Sequence, residues 1–238
     1  MIPKIIHYCW YGNNAKPQMV IDCLDSWRRL HPDYEIIEWN EINSPQHKIV
    51  TSNLKHKIWA YASDYTRLYA LYTLGGFYLD TDFYLIKSLE DLRSHACILA
   101  FESPEWVTNG FSASSKNHDY FKKCLDALED RGHTRLKPYI APHLTTEILN
   151  TYQDSIEYKE QIIADIRILL SPSFYPFSYE DVRNNTLSTL VKSCPKYSYG
   201  IHLFMHSWKD SSLNYSIQER LTIFIQKVAT KLNLIFNH

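Results

Sequence analysis

At 238 residues the chain is long enough to bury a substantial core in one domain, with room for at most a small excursion. A net charge of -1 with no basic stripe argues against phosphate-backbone binding, so no nucleic-acid partner is expected. Eighteen Tyr and six Trp against six Gly bias the chain toward ring stacking, on nucleobases and sugars as much as within a core. Five cysteines, an odd number with no C-x-x-C pair, argue against a zinc knuckle or a disulfide framework and lead to the expectation of a reducing cytoplasm. Met1-Ile2-Pro3-Lys4 runs directly into strand-like sequence, so no signal peptide is expected. No window reaches the run of about 18 apolar residues that a membrane span needs.

In chain order, Ile5 to Trp10 reads as a buried strand ending in a turn at Tyr11-Gly12-Asn13-Asn14. Pro17 to Leu30 reads as a helix and Tyr34 to Trp39 as a second strand. A loop through Pro45 leads to one long helical pattern ending near Leu74, with Gly75-Gly76 as its C-cap. Within that pattern Asp64 and Arg67 lie three residues apart on one face. Cys97 to Phe101 and Val107 to Ala113 read as strands, His118 to Arg131 and Leu144 to Tyr152 as helices. Ile166 to Tyr179 is expected to be irregular around one strand, and Tyr199 to Phe204 to form a last short strand. The alternation predicts α/β layering.

The segment Phe77-Tyr78-Leu79-Asp80-Thr81-Asp82 carries the most chemistry, because a strand-like run delivers two carboxylates one residue apart just after the glycine stop. On an extended backbone, residues i and i+2 point the same way, so Asp80 and Asp82 are expected to reach one hard cation together. An EF-hand is excluded, since its third, sixth and twelfth positions would fall on Tyr84, Lys87 and Arg93. An aspartate-nucleophile phosphatase of the haloacid dehalogenase type would start in a similar way, but Tyr84 and the mid-chain position argue against it.

Three segments then stand in order: Ile2-Pro3-Lys4-Ile5-Ile6-His7-Tyr8-Cys9-Trp10-Tyr11-Gly12, Ala62-Ser63-Asp64-Tyr65-Thr66-Arg67, and Gly75 through Asp82. Together they resemble glycosyltransferase family 32, across about residues 2–115 and again at 200–208. The resemblance implies a GT-A fold, a Rossmann-like, mostly parallel sheet flanked by helices. It also implies a nucleotide-sugar donor, most readily a UDP-sugar, transfer of a hexose with retained anomeric configuration, and Mn2+ or Mg2+ as the metal. By the resemblance Trp10 stacks on the donor base beside Tyr11, and Asp64 and Arg67 meet the ribose and the sugar or phosphate. Asp80 meets the ribose and, through water, the metal, which Asp82 ligates directly. Other readings stay open for each: Trp10 as a core plug, and Asp64 with Arg67 as a surface ion pair worth a few tenths of a kcal/mol.

Near the C-terminus, His202, His206, Ser207 and Trp208 are similar to the family's terminal segment. The resemblance implies one imidazole on the metal and Ser207 with Trp208 on the diphosphate. His206 and Leu203-Phe204 depart from the family pattern there, so which histidine ligates is open. Asn109-Gly110 matches a segment that lines the donor sugar and acceptor, with a hairpin turn as the equal alternative. No residue stands out as a covalent nucleophile, and Glu102 and Glu105 are carboxylates near the cleft. Ile217 to Phe236 reads as an amphipathic helix, giving a domain over 1–215 and a helical tail over 216–238. The tail is expected to pack on its own domain or to make peripheral membrane contact at the inner face of the plasma membrane. The expected acceptor is a lipid-linked oligosaccharide in capsule, O-antigen or other surface polysaccharide synthesis. A non-catalytic sugar- or nucleotide-binding module of the same fold is the alternative.

Overall fold

The computed structural model describes residues 1–132, 141–153 and 155–205. Strands β1 (Ile5–Cys9), β2 (Glu35–Trp39), β3 (Gly76–Leu79), β5 (Cys97–Ser103), β6 (Trp106–Ser114), β7 (Gln161–Ile163) and β8 (Ile166–Leu169) form one sheet in the order β2-β1-β3-β6-β5-β8-β7. β2, β1, β3, β5 and β8 run in one direction and β6 and β7 oppose them, so the sheet is mostly parallel, as expected. β4 (Phe83–Leu85) leaves this sheet and pairs antiparallel with β9 (Gly200–His202). That small ribbon brings the last described strand beside the aspartates.

Helices α1 (Gln18–Leu30), α2 (Lys48–Lys55), α3 (Trp59–Thr73), α4 (Asp119–Arg131), α5 (Ala141–Leu149), α6 (Tyr179–Asn184) and α7 (Leu187–Ser193) flank the sheet. One core joins α3 and α4 to the sheet through Leu68, Leu71, Leu99, Phe121 and Leu128. A second joins α1 to the opposite face through Trp27, Phe77, Leu79 and Ile98. α1 fixes the aspartate turn from behind. Trp27 Nε1 donates to the Phe83 carbonyl at 2.8 Å, Ser26 Oγ accepts from the Leu85 amide at 2.9 Å, and His31 Nε2 accepts from the Leu89 amide at 2.8 Å.

The single long helix expected before Leu74 is two helices. Lys57 adopts a left-handed φ of 57° between them, which ends the i to i+4 ladder. Gly75 and Gly76 have φ of +70° and +104°. A Cβ on Gly75 would lie 2.7 Å from the Lys116 amide nitrogen and one on Gly76 2.7 Å from the Ile5 carbonyl, so no side chain fits. The stop after α3 is thus also the point where β3 enters the sheet against β1. The region 166–179 holds β8 as expected, whereas β7, α6 and α7 were not foreseen, being too short to show a period. All five cysteines are free thiols. Among the described residues no helix is long and apolar enough to cross a membrane.

Candidate active site

α3 is buried nearly all round, and it presents Asp64 and Arg67 to the end of β3, where the chain leaves the sheet. The Arg67 guanidinium meets Asp80 Oδ1 at 3.2 Å and Asp64 Oδ1 at 3.4 Å. It also donates to Asn109 Oδ1 at 3.1 Å, the Asn109 carbonyl at 3.3 Å and Ser63 Oγ at 3.1 Å, and it lies 4.7 Å from the centroid of the Tyr78 ring. Burial opposes its charge, but Asp80, Tyr78 and Asp64 outweigh burial, and the guanidinium pKa is raised. This network is buried, so the reading of Asp64 and Arg67 as a surface ion pair is corrected.

The two aspartates do not share an extended face. Phe83 N–H donates to the Asp80 carbonyl at 3.1 Å, so Asp80 to Phe83 is a turn between β3 and β4, and each carboxylate has its own partner. Asp80 accepts from Tyr78 OH at 3.1 Å and pairs with Arg67. Asp82 faces His202, with Oδ1 3.3 Å from Nε2, and its Oδ2 accepts from the Met205 amide at 3.0 Å. The Asp82 carbonyl accepts from the Leu203 amide at 2.9 Å, so the last described residues are tied to Asp82 three times. Burial pushes the Asp80 carboxyl up against the pull of Arg67, and the charge of Asp82 adds to the rise. Burial would also raise Asp82, but His202 and the Met205 amide outweigh it and hold it below the usual carboxylate range. Burial likewise opposes charge on His202, and Asp82 overcomes this to raise the imidazole.

Asn109-Gly110 is not a hairpin turn. The reversal between β5 and β6 lies at 104–105, and Asn109 and Gly110 sit inside β6. There the pairing with β5 jumps from Ala100↔Thr108 to Leu99↔Ser112, leaving residues 109–111 as a bulge. The Gly110 carbonyl accepts from the Asp80 amide at 2.9 Å. A Cβ on Gly110 would lie 2.9 Å from Asp80 Oδ2 and 3.2 Å from the Tyr175 hydroxyl. The Asn109 side-chain nitrogen and His202 Nδ1 are buried with no hydrogen-bond partner among the described residues.

Trp10 is half-buried at the end of β1, with Nε1 donating to the Asn14 carbonyl at 2.9 Å and Lys16 above its ring. Tyr11 turns inward: its hydroxyl meets Ser44 Oγ at 2.8 Å and Thr66 Oγ1 at 2.9 Å, and its ring stacks on Trp59, which commits it to structure. Glu102 is exposed at the end of β5, and Glu105 accepts from Ser103 Oγ at 3.0 Å. His206, Ser207, Trp208 and the helix expected over 217–236 lie outside the described residues. Sequence reasoning missed Ser63, Tyr78 and Tyr175. Tyr78 was detectable, since it lies two residues before Asp80 and so shares its face. Cys9, close to Ser63 and Arg67, is pushed up to about 11 by burial and is a poor nucleophile.

The donor set of Asp80, Asp82 and His202 is oxygen-rich with one imidazole, a chemistry that fits Mn2+ or Mg2+ better than zinc. Among the described residues no group of three or more His, Cys, Asp or Glu is placed so as to hold a metal ion by itself. The donor chemistry suits a hard cation, and an ion there would need further ligands beyond these side chains.

Residues 17–99 match the family described as a glycosyltransferase sugar-binding region containing a DXD motif. Curated relatives include inositol phosphoceramide mannosyltransferase 2 of Schizosaccharomyces pombe, 28% identical over 75% of this chain and 54% of its own length. Human alpha-1,4-N-acetylglucosaminyltransferase is 25% identical over 75% of this chain and 50% of its length. The chain thus spans about half the length of these relatives. Among solved structures the PaToxG glycosyltransferase superposes with a TM-score of 0.53 at 18% identity, covering 64% of this chain and 70% of that one. The chain carries a GT-A glycosyltransferase fold with a DXD sugar-binding region, and it is similar to glycosyltransferase family 32.

Proposed function

We propose that the chain transfers a hexose from a nucleotide-sugar donor, a UDP-sugar in the first instance, with retention of anomeric configuration. The observation that carries this reading is the buried cluster of Asp64, Arg67, Asp80 and Asn109 set directly beside Asp82 and His202 at the end of β3. Asp80 and Asp82 lie in one buried turn, each held by its own counter-charge, Arg67 for Asp80 and His202 for Asp82, so two oxygen ligands stand ready at the end of β3. Asp82, Asp80 and His202 would hold Mn2+ or Mg2+, which as a Lewis acid would stabilise the departing nucleoside diphosphate.

The chain's own residues supply the rest. Arg67, clamped by Asp64, Ser63 and Asn109, presents a fixed positive charge beside Asp80 and neutralises charge that develops there. Asn109, with its unpaired side-chain nitrogen, offers a donor to a sugar hydroxyl. Trp10 at the end of β1 offers an indole face to the base. Among the described residues no side chain is arranged as a covalent nucleophile activated by a base.

The name of one relative, an inositol phosphoceramide mannosyltransferase, supports a lipid-borne acceptor. We extend this to a lipid-linked oligosaccharide of a surface polysaccharide, with the tail over 217–236 touching the inner leaflet. A panel of nucleotide sugars, with and without Mn2+, tests the reading by thermal shift and by release of free nucleotide. Release of nucleoside diphosphate only with the metal present supports the transferase. Stabilisation without consumption supports the binding module instead.

A further inference from the structure

Two aromatic pairs stand at the sheet edge that carries Asp80, outside the cluster of Asp64, Arg67 and Asn109. Trp106 opens β6 directly after the reversal at 104–105 and lies four residues before Gly110, whose carbonyl accepts from the Asp80 amide. At a strand rise of about 3.3 Å per residue, Trp106 is thus about 13 Å from Gly110 along β6. Its indole is half-buried, with the His143 ring 4.4 Å away and tilted by 31°. Burial lowers the His143 pKa against the pull of Glu147, so a neutral imidazole backs the indole. α5, which carries His143, is tied to β6 by Thr146, whose Oγ1 accepts from the Val107 amide at 3.3 Å. On the neighbouring strand Phe101 pairs with Val107 and carries the second ring: Tyr158 packs edge-on to Phe101 at 5.1 Å and remains 40% exposed. The Tyr158 hydroxyl lies 2.5 Å from Ser171 Oγ, a hydrogen bond that holds the ring in place.

The sheet order β2-β1-β3-β6-β5 sets Trp10, at the end of β1, on one flank of the Asp80 strand and Trp106, at the start of β6, on the other. With the donor base assigned to the Trp10 flank, the flank formed by β6 and β5 is left for the molecule that receives the sugar. Rings that are partly exposed and anchored from behind suit the apolar C–H face of a saccharide, because little side-chain freedom is lost on binding. We propose that Trp106, backed by His143, and Tyr158, seated on Phe101, form the subsite for the acceptor saccharide. The assignment rests on the proposed transferase function.

The test uses the octyl glycosides of glucose, galactose, mannose and N-acetylglucosamine as acceptor probes, with the most rapidly consumed nucleotide sugar of the panel as donor. In the wild type at least one glycoside accelerates release of the nucleoside diphosphate. Trp106→Ala and Tyr158→Ala each raise the KM for that glycoside by about tenfold or more, the loss expected of an aromatic anchor. Trp106→Phe, which keeps a ring against His143, raises it by about threefold or less. The affinity for UDP with Mn2+ stays within about twofold of wild type in all three variants, a split that general damage to the fold would not give. Where Trp106→Ala does not fold, Tyr158→Ala decides, since its ring is the more exposed. A wild-type acceptor KM in either alanine variant, or an equal loss of UDP affinity, overturns the proposal while the transferase reading stands. Donor consumption that none of the glycosides accelerates does the same. A wild type that consumes no nucleotide sugar overturns both.

Discussion

The His7 imidazole is locked in one neutral form, and this sets a measurable acid limit on stability. Its Nε2 lies 2.8 Å from the Gly75 carbonyl and its Nδ1 accepts from Trp39 Nε1 at 3.2 Å, so the proton is on Nε2. A second proton would have to displace the indole donor inside the core. Burial, opposed only in part by the Gly75 carbonyl, pulls the His7 pKa down to about 4, against about 6.5 in the unfolded chain. The unfolded chain thus takes up the proton first, and stability present above pH 6.5 is lost as the pH falls toward 4. At about 1.36 kcal/mol per pH unit the full loss is about 3 kcal/mol, of which about 2 kcal/mol is gone by pH 5. The assay is urea unfolding at pH 7, 6, 5 and 4 for wild type and His7→Gln, whose amide keeps a donor toward Gly75 and cannot titrate. Other groups titrate alike in both proteins, so the difference between the two curves isolates His7. The wild type should lose about 2 kcal/mol more than the variant between pH 7 and pH 5. Parallel curves would refute the buried neutral imidazole.

Removing the Arg67 charge by Arg67→Gln leaves Asp64 and Asp80 buried without their cation and should cost about 3–5 kcal/mol, read as a fall in denaturant midpoint. Adding Asp80→Asn to that variant should restore part of the loss, and no restoration would mean that Arg67 acts through packing alone. Gly110→Ala should slow nucleotide-sugar consumption by about tenfold or more with a change in stability below about 1.5 kcal/mol, because the methyl meets the Asp80 carboxylate and the Tyr175 hydroxyl rather than backbone. Wild-type turnover in that variant would show that Asp80 can shift without consequence.

The sequence carried the order of the first strands and helices and the glycine stop before β3, because apolar period and Gly-Gly are local signals. It carried Asp80, Asp82, Asp64 and Arg67 as a group through three separated motifs. It could not reveal that Asp80 and Asp82 lie on a turn and face different partners, since a short apolar run does not say where the strand ends. Asn-Gly between apolar runs usually marks a hairpin, yet here the jump of pairing from Thr108 to Ser112 makes it a bulge, a property of the neighbouring strand rather than of the dipeptide. Tyr175 escaped because its contacts with Phe83 and His202 join parts of the chain far apart in sequence.

Anomalous diffraction at the manganese edge, from crystals of this chain grown with Mn2+ and UDP, tests the central claim most directly. The account predicts one strong peak within bonding distance of the Asp82 carboxylate, bridged to the diphosphate, with Arg67 still paired to Asp80. UDP bound with the manganese peak away from Asp82, or a peak at Asp82 with no nucleotide beside it, would contradict it.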